Sequence, residues 1–559
     1  MDRLLRLFNR EWSGLHEAAF LLAGTAFLSQ VFGLIRDRLL THQYGASIPL
    51  DVYYASFRVP DLLYASVASF VAVTVLIPFL LERIDKEHDK QKAQEFINSV
   101  FTVFVIGMTI ACALAYLLLP YLAHLIVPGF SQDSQTEFVK LSRVLLLSPF
   151  LLGISNLFGA VTQSLRRFFV FAMGPLLYNS GIIIGVVFLM PKFGLLGVVL
   201  GVILGALLHV MIQLPVLLSE RLLPRFILHI DIKTVRSVAA LSIPRTVALS
   251  ATHLATMVLI ALASRIEAGS IAVFILAMNL QSIPLAIVGM SYSVAAFPTL
   301  AKLWTLGNHD AFFVQIVSAT RHIIFWSFPS IVMFIVLRAQ IVRTILGSGA
   351  FDWTATRLTA AALALFTVSI VAQNLVLLYT RSFYAMGKTR VTVYANVSAA
   401  ILIVVLSYTF LYLFAHQATF KFFAETLLRV EDTPGTSLLM LPLGYSIGMI
   451  FNLCVLFYFL EKQFAHFASS IKNAFLHSFT TSVVMGFISY HSLQVLANVL
   501  NLESFLGIFL QGLLSGLVGI CAGIFLLRLM DNKELEEVWT SLHHKFWKAK
   551  PIISEQEGL

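Results

Sequence analysis

Long, uninterrupted apolar segments are the feature that most constrains how this chain can fold. A helix that crosses the hydrocarbon core of a bilayer needs roughly 20 such residues. Backbone N–H and C=O groups find no water there, so each segment must satisfy them within itself as a helix. Barrel strands would be about ten residues long and would alternate apolar and polar positions, which these segments do not. About fourteen segments are found, at 17–35, 52–81, 97–119, 141–163, 170–190, 194–218, 238–263, 270–300, 313–337, 358–380, 391–414, 437–460, 474–495 and 504–528.

Composition agrees with an all-α polytopic membrane protein and excludes several soluble classes. Of the 559 residues, 58% are hydrophobic and 12% are charged, whereas soluble domains average about 45–50% and about 25%. A mean hydropathy of +0.86 excludes a soluble enzyme, a disordered chain and a nucleic-acid binder. The three cysteines lie far apart in apolar segments, and their spacing predicts no disulfide framework, metal site or cofactor.

The distribution of basic residues predicts the orientation in the membrane. With the N-terminus inside, most lysines and arginines fall in segments on the cytoplasmic side, as the positive-inside rule requires. Both termini are therefore expected in the cytoplasm. The clearest exception is the outer segment that carries Arg338, Arg343 and Arg357. Residues 1–14 are interpreted as an amphipathic interfacial segment, with a frayed basic tail as the alternative.

An internal repeat with an offset of roughly 220 residues predicts the domain organisation. Pro60 and Pro78 bracket the second apolar segment, and Pro284 and Pro298 bracket the eighth. We expect two six-helix lobes in a V-shaped arrangement, over 15–220 and 221–465, then two further helices over 466–530 and a cytoplasmic tail over 531–559. The alternative is that prolines are simply common in membrane helices.

Polar residues in the first two helices predict a hydrated cavity between the lobes. Gln30, Gly33 and Asp37 share one helix face, with Arg36 beside them. Ionisable groups inside a bilayer are costly and therefore indicate a functional site. The second helix adds acidic and basic residues near one face, at Asp51, Arg58 and Asp61. The alternative is a helix-end cluster of arginines that reach the membrane surface.

Polar residues of the second half complete the set of candidate substrate-binding residues. The eighth helix carries the uncharged Asn279 and Gln281 just before Pro284, where a bend is expected. Arg245, beside Pro244, lies at the mouth of the seventh helix. No catalytic residue is predicted, because the outer loops offer neither paired acids nor a metal cluster.

Small residues at intervals of four predict close helix packing rather than a site. Gly197, Gly201 and Gly205 form one such row, and Ser515, Gly519 and Gly523 form another. Small side chains at this spacing allow two membrane helices to approach closely.

Several stretches, in the same order along roughly residues 17–400, carry a family resemblance. They include FGLIRDRLLTHQYGA and DVYYASFRVPDLL in the first two helices, GPLLYNSGIIIG at Gly174–Gly185, AGSIAVFILAMNLQSIP ending at Pro284, and RSFYAMGKTR. The chain resembles the MurJ (MviN) family of lipid II flippases, within the multidrug/oligosaccharidyl-lipid/polysaccharide exporter superfamily.

The resemblance implies a transporter of the inner (cytoplasmic) membrane rather than an enzyme. Its substrate would be lipid II, the undecaprenyl-pyrophosphate-linked disaccharide-pentapeptide, moved from the inner to the outer leaflet for cell-wall synthesis. Membrane lipids and wall-synthesis proteins are the other expected partners. Arg36 and Asp37 match the family's Arg-Asp pair in the first helix, Asp51 the acid that opens the second, and Arg58 the basic residue before its proline.

The chain departs from the family pattern at positions that normally carry charge. Gln30 stands in place of an earlier arginine, Tyr64 in place of a basic residue, and Asn279 within a stretch that is charged in many relatives. The seventh helix also lacks the mid-span acid linked to sodium in some relatives.

The expected mechanism assigns a role to most of the candidate residues. Arg36 and Arg58 would bind the pyrophosphate, because guanidinium groups bind phosphate in a bidentate manner. Asp37 and Asp51 would hold these arginines, and Asn279 and Gln281 would contact sugar or peptide amides. The alternatives are export of another polyprenyl-linked glycan and a non-transporting membrane scaffold.

Overall fold

The computed structural model describes residues 15–68, 76, 79–80, 90–165, 167–228, 230–502 and 504–547. The amphipathic segment expected at 1–14 and the end of the tail lie outside these residues. Within the described part of the chain the regular secondary structure consists of helices without strands, which confirms the all-α prediction.

The first half of the chain forms one group of packed helices. The longest of them, α4, runs for 37 residues. Helix α7 packs against both α1 and α9, and α2 packs against α5. The helices are α1 (Leu15–Tyr44), α2 (Ile48–Ser56), α3 (Arg58–Ser66), α4 (Lys90–Ile126), α5 (Gln132–Leu145), α6 (Leu147–Ser164), α7 (Phe168–Ile184), α8 (Met190–Phe193), α9 (Leu195–Met211) and α10 (Leu214–Ser219).

The second half forms another such group. Helix α18 packs against both α11 and α20, and α12 packs against α16. The lobe boundaries themselves stay a prediction. The helices are α11 (Ile232–Ala263), α12 (Ser270–Pro284), α13 (Ser291–Thr305), α14 (His309–Val336), α15 (Arg338–Ile345), α16 (Trp353–Thr367), α17 (Ile370–Ala385), α18 (Thr389–His416), α19 (Ala418–Leu428) and α20 (Met440–Gln463).

Three further helices follow: α21 (Phe467–Ala497), α22 (Phe505–Leu529) and α23 (Lys533–Trp547). Helices α21 and α22 pack on one another, and α21 also packs on α14. Helix α23 is anchored to α14, since Arg321 lies 2.6 Å from the buried carboxylate of Glu534. The start of the predicted tail is therefore a docked helix.

Ten helices in the described part of the chain are long and apolar enough to cross a membrane, or eleven with the pair α16 and α17, which is bent by 45°. This number confirms a multi-span membrane protein. It is compatible with fourteen crossings, because α1 and α21 are 30 and 31 residues long and α2–α3 opens a further apolar segment. The number fourteen stays a prediction.

A wider helical turn follows Pro284, where a bend was expected. Residues Leu285–Met290 form a π-helical turn between α12 and α13. Proline has no N–H to donate to the preceding turn, which is a common cause of such irregularity. The π turn lies on the segment that carries Asn279 and Gln281.

The two rows of small residues are packing surfaces, as predicted. A Cβ atom on Gly201 of α9 would lie 2.5 Å from the Cα of Gly185, just after α7. A Cβ atom on Gly523 of α22 would lie 2.8 Å from the sulfur of Met485 on α21. Substitution at Gly201 would force the helices apart, because the nearest atom is backbone, whereas at Gly523 the flexible side chain of Met485 would have to move.

Candidate functional site

Arg36 and Asp37, near the end of α1, form the centre of a polar cluster. The Nη2 atom of Arg36 lies 2.9 Å from Oδ1 of Asp37, and the two side chains are 21% and 3% exposed. Arg36 also donates from Nη1 to Oδ1 of Asn179 on α7, at 3.2 Å. The predicted role of Asp37 as the residue that holds Arg36 thus fits the geometry.

Asn279 joins this cluster from the other half of the chain. Its Nδ2 atom donates to Oδ2 of Asp37 at 3.0 Å, which links α12 to α1. In this conformation its NH₂ group is bound to Asp37, and its predicted contact with sugar or peptide amides stays a prediction. Asn279 connects the two halves of the molecule.

Asp51 does not hold an arginine, contrary to the prediction. Its Oδ2 atom accepts from the backbone N–H of Gly269 and its Oδ1 atom from that of Ala272, both at 2.7 Å. These groups lie at the N-terminus of α12, where backbone N–H groups lack helical partners and a negative charge is favourable. The carboxylate is 1% exposed. Asp51 therefore fastens α12 of the second half to α2 of the first.

Further contacts join the two halves at the end of the molecule where Asp51 meets the N-terminus of α12, which we call the closed end. Arg38 donates from Nη1 to the carbonyl oxygens of Thr344 and Ile345 at 2.5 and 3.2 Å, at the C-terminus of α15. The backbones also approach each other directly, since a Cβ atom on Gly45 would collide with the carbonyl group of Ala350. Three more glycines make equivalent approaches, namely Gly129 to Ser264, Gly269 to Ala46 and Gly349 to His42.

Arg58, at the start of α3, pairs with Asp61 and not with Asp51. Its Nη2 atom lies 3.5 Å from Oδ2 of Asp61, and the two side chains are 11% and 38% exposed. The Nε atom of Arg58 is buried and has no hydrogen-bond partner among the described residues. Tyr178 is near enough to feel the charges of both Arg36 and Asp61. The two arginine clusters therefore share one region of the molecule.

Arg245 on α11 adds a second-half cation near this region. It lies near Tyr64, whose hydroxyl accepts a hydrogen bond from Asn156 at 3.1 Å. Arg381 on α17 lies close enough for its charge to act on Arg245. It also contacts the sulfur of Met290 at the end of the π turn, at 3.1 Å.

Gln281 lies away from the cluster, and its predicted contact with substrate stays a prediction. The side chain is 1% exposed. Its Oε1 atom accepts a hydrogen bond from Gln373 of α17 at 3.0 Å, inside the second half. Gln30 is half-buried on α1, and its predicted role in substrate binding stays a prediction.

Asn179 and Arg381 are site residues that sequence reasoning did not single out. Each lies in a stretch that carried the family resemblance, GPLLYNSGIIIG and RSFYAMGKTR. A polar amide between apolar residues and an arginine near the end of an apolar helix were the available signals.

Solved structures with a similar fold are transporters. One, described as lipid II flippase MurJ in an inward closed conformation, has a TM-score of 0.71 at 20% identity and covers 92% of this chain and all of that one. Another, an inward-facing multidrug resistance transporter of the MATE family, has a TM-score of 0.61 at 13% identity, over 81% of this chain and 99% of that one.

Sequence comparisons match this chain to lipid II flippases. The lipid II flippase MurJ of Burkholderia cenocepacia is 24% identical over 414 residues, which cover 72% of this chain and 79% of that protein. The probable lipid II flippase MurJ of Buchnera aphidicola subsp. Schizaphis graminum is 23% identical over 398 residues, or 70% of this chain and 76% of that protein. The family model described as lipid II flippase MurJ matches residues 40–511, more than half of the chain, and the chain therefore belongs to the MurJ family of lipid II flippases.

Proposed function

We propose that this chain flips lipid II from the inner to the outer leaflet of the cell inner membrane by alternating access. Family membership supports the substrate. The observation that carries the mechanism is the pair of polar links at one end of the molecule, Asp37 to Asn279 and Asp51 to the N-terminus of α12. On the predicted orientation this closed end faces outward, and the arginines lie at or below it.

The pyrophosphate of the substrate binds Arg36 and Arg58. Arg36 is partly exposed and offers a planar set of donors. The unpartnered Nε atom of Arg58 supplies a further donor, and a buried donor without a partner is costly until a ligand satisfies it. Arg245 and Arg381 add positive charge from the second half, which favours a dianionic headgroup.

Binding and opening are coupled through Arg36. In the closed structure its guanidinium neutralises Asp37, while Asp37 accepts the hydrogen bond from Asn279. A pyrophosphate that draws Arg36 away changes the charge balance at Asp37 and favours a different arrangement of α1 and α12. A ligand shifts such an equilibrium only by its different affinity for the two states, and this competition supplies the difference.

The polyprenyl tail stays in the lipid while the headgroup crosses between the two halves. Both termini lie in the cytoplasm on the distribution of basic residues. Wall-synthesis proteins that use the flipped lipid are the expected partners.

A flipping assay with defined lipid donors tests this function. The purified full chain is placed in liposomes with lipid II or with another polyprenyl-pyrophosphate glycan in separate arms. We expect flipping of lipid II and its loss in Arg36→Ala and Arg58→Ala, while Arg390→Ala, which removes an exposed charge, retains it. Unimpaired flipping by both variants would refute the site, and preference for the other glycan would refute the substrate. Failure of the wild-type chain to flip any donor would favour the scaffold.

A further inference from the structure

A second arginine-rich pocket lies apart from the cluster at Arg36. It has a volume of about 780 Å³ and is bounded by α15, α16, the end of α19, α21 and α22. Three arginines line it, Arg338, Arg357 and Arg429, and the lining contains no acidic residue in the described part of the chain. Two of these arginines belong to the segment that breaks the positive-inside pattern.

In the described part of the chain, no carboxylate neutralises the arginines of this pocket. Arg357 donates to the backbone carbonyl of Arg429 at 2.7 Å, and Arg338 donates to that of Ile335 at 3.1 Å. Arg429 approaches the hydroxyl of Tyr490 at 3.4 Å. Among the described residues none of the three forms an ion pair. Like charges held together in this way favour an anionic ligand.

The surroundings of the pocket are apolar and exposed. Leu427, in its lining, is 64% exposed, and Phe422 and Phe423 on the same helix are 67% and 63% exposed. Val495 on α21 is 64% exposed. In a membrane protein such surfaces contact acyl chains, so an amphiphile can place its tails there and its headgroup between the arginines.

The position of the pocket specifies the leaflet. Helix α15 receives the hydrogen bonds of Arg38 at its C-terminus, so the pocket lies at the closed end of the molecule. On the predicted orientation this end faces the outer leaflet. We propose that the pocket binds the phosphate headgroup of an outer-leaflet lipid, separately from the substrate site.

Native mass spectrometry of the purified full chain tests this binding. The probes are phosphatidylglycerol, undecaprenyl pyrophosphate, inorganic pyrophosphate and an uncharged diacylglycerol. The test variant is Arg338→Gln with Arg429→Asn, because Asn tolerates the left-handed backbone of Arg429, whose φ is 60°. The matched control is Arg265→Gln, which removes an exposed charge at the same end. A second variant with lysine at both positions keeps the charge.

We expect the test variant to bind at least one phosphate lipid about tenfold more weakly than wild type, the lysine variant to recover part of the affinity, and Arg265→Gln to change nothing. Weaker binding of phosphatidylglycerol by the test variant identifies the ligand as a glycerophospholipid. Weaker binding of undecaprenyl pyrophosphate alone identifies it as a prenyl pyrophosphate. Arg36→Ala should retain the binding of phosphatidylglycerol, which separates the pocket from the flipping site. Unchanged lipid affinity in the test variant, loss for inorganic pyrophosphate only, or equal loss in Arg265→Gln would overturn the proposal.

Discussion

Asn279 of α12 and Asp37 of α1 are 242 residues apart in the chain and are joined by a hydrogen bond of 3.0 Å. The bond ties the second half of the molecule to the carboxylate that neutralises Arg36. Asn279→Asp should weaken the closed end, because two carboxylates at this distance repel. We expect the ratio of closed to open molecules to fall by about tenfold or more.

Spin labels at Gln132 and Ala268 in a cysteine-free background measure this effect. Both positions are exposed, one in each half and near the closed end. The distance between the labels should lengthen in Asn279→Asp. The control is Asn396→Asp, which makes the same chemical change at an amide bonded to Asn452 within the second half. An unchanged distance distribution in Asn279→Asp would contradict a closing role for this bond.

Asp51→Asn should lower the stability of the protein. The carboxylate accepts hydrogen bonds of 2.7 Å from two backbone N–H groups. In Asn the NH₂ group would face one of these donors, and that hydrogen bond would be lost. We expect a loss of about 1–3 kcal/mol in the free energy of unfolding. Asp352→Asn is the matched control, since Asp352 is exposed and its carboxylate accepts one backbone N–H, that of Ala355 at the start of α16; the loss should be about 1 kcal/mol or less. Thermal unfolding of both variants measures the difference. Equal shifts of the melting temperature would contradict the role of Asp51 in fastening α12 to α2.

Arg381→Gln should slow the flipping of lipid II by about tenfold, if its charge helps to hold the headgroup. The residue lies near Arg245 and contacts Met290 at the end of the π turn. Arg381→Lys should retain part of the rate. Initial rates in liposomes measure the effect, with Arg390→Gln as the control at the exposed end of the same stretch. A wild-type rate in Arg381→Gln would remove this residue from the site.

Gly201→Ala should separate α7 from α9. Its Cβ atom would lie 2.5 Å from the Cα of Gly185, a backbone atom that cannot turn aside. Overpacking of this kind costs about 1–3 kcal/mol. Gly107→Ala on α4 is the control, because nothing lies within 4 Å of the added atom, and helix propensity favours alanine there by about 1 kcal/mol. The melting temperature should fall for the first variant and not for the second.

Features set by periodicity along one segment were predictable from the sequence. The apolar segments predicted the helices, and the four-residue spacing of Gly197, Gly201 and Gly205 predicted a face that packs against another helix. The pairing of Arg58 with Asp61 was also within reach, since residues three apart lie on one side of a helix. The expectation that Asp51 holds an arginine is wrong because a buried carboxylate can also satisfy the N-terminus of a helix.

Contacts between distant segments were not predictable in the same way. The residues bonded by Asp51 lie 218 and 221 positions further along the chain, and no local pattern shows that α12 begins there. The different fates of Asn279 and Gln281 have a simpler cause. Residues two apart on a helix point in nearly opposite directions, so only one of them could face α1. The other is buried against Gln373.

The glycines at the closed end determine what must happen for it to part. At Gly45, Gly129, Gly269 and Gly349 an added Cβ atom would lie within 2.4 Å of a backbone carbonyl oxygen of the other half. Separation must break the hydrogen bonds of Arg38, Asp51 and Asn279 across this end, whereas the glycine positions themselves have no side chain to withdraw. In the proposed alternating access, main-chain surfaces that approach this closely must return to the same register each time the end closes.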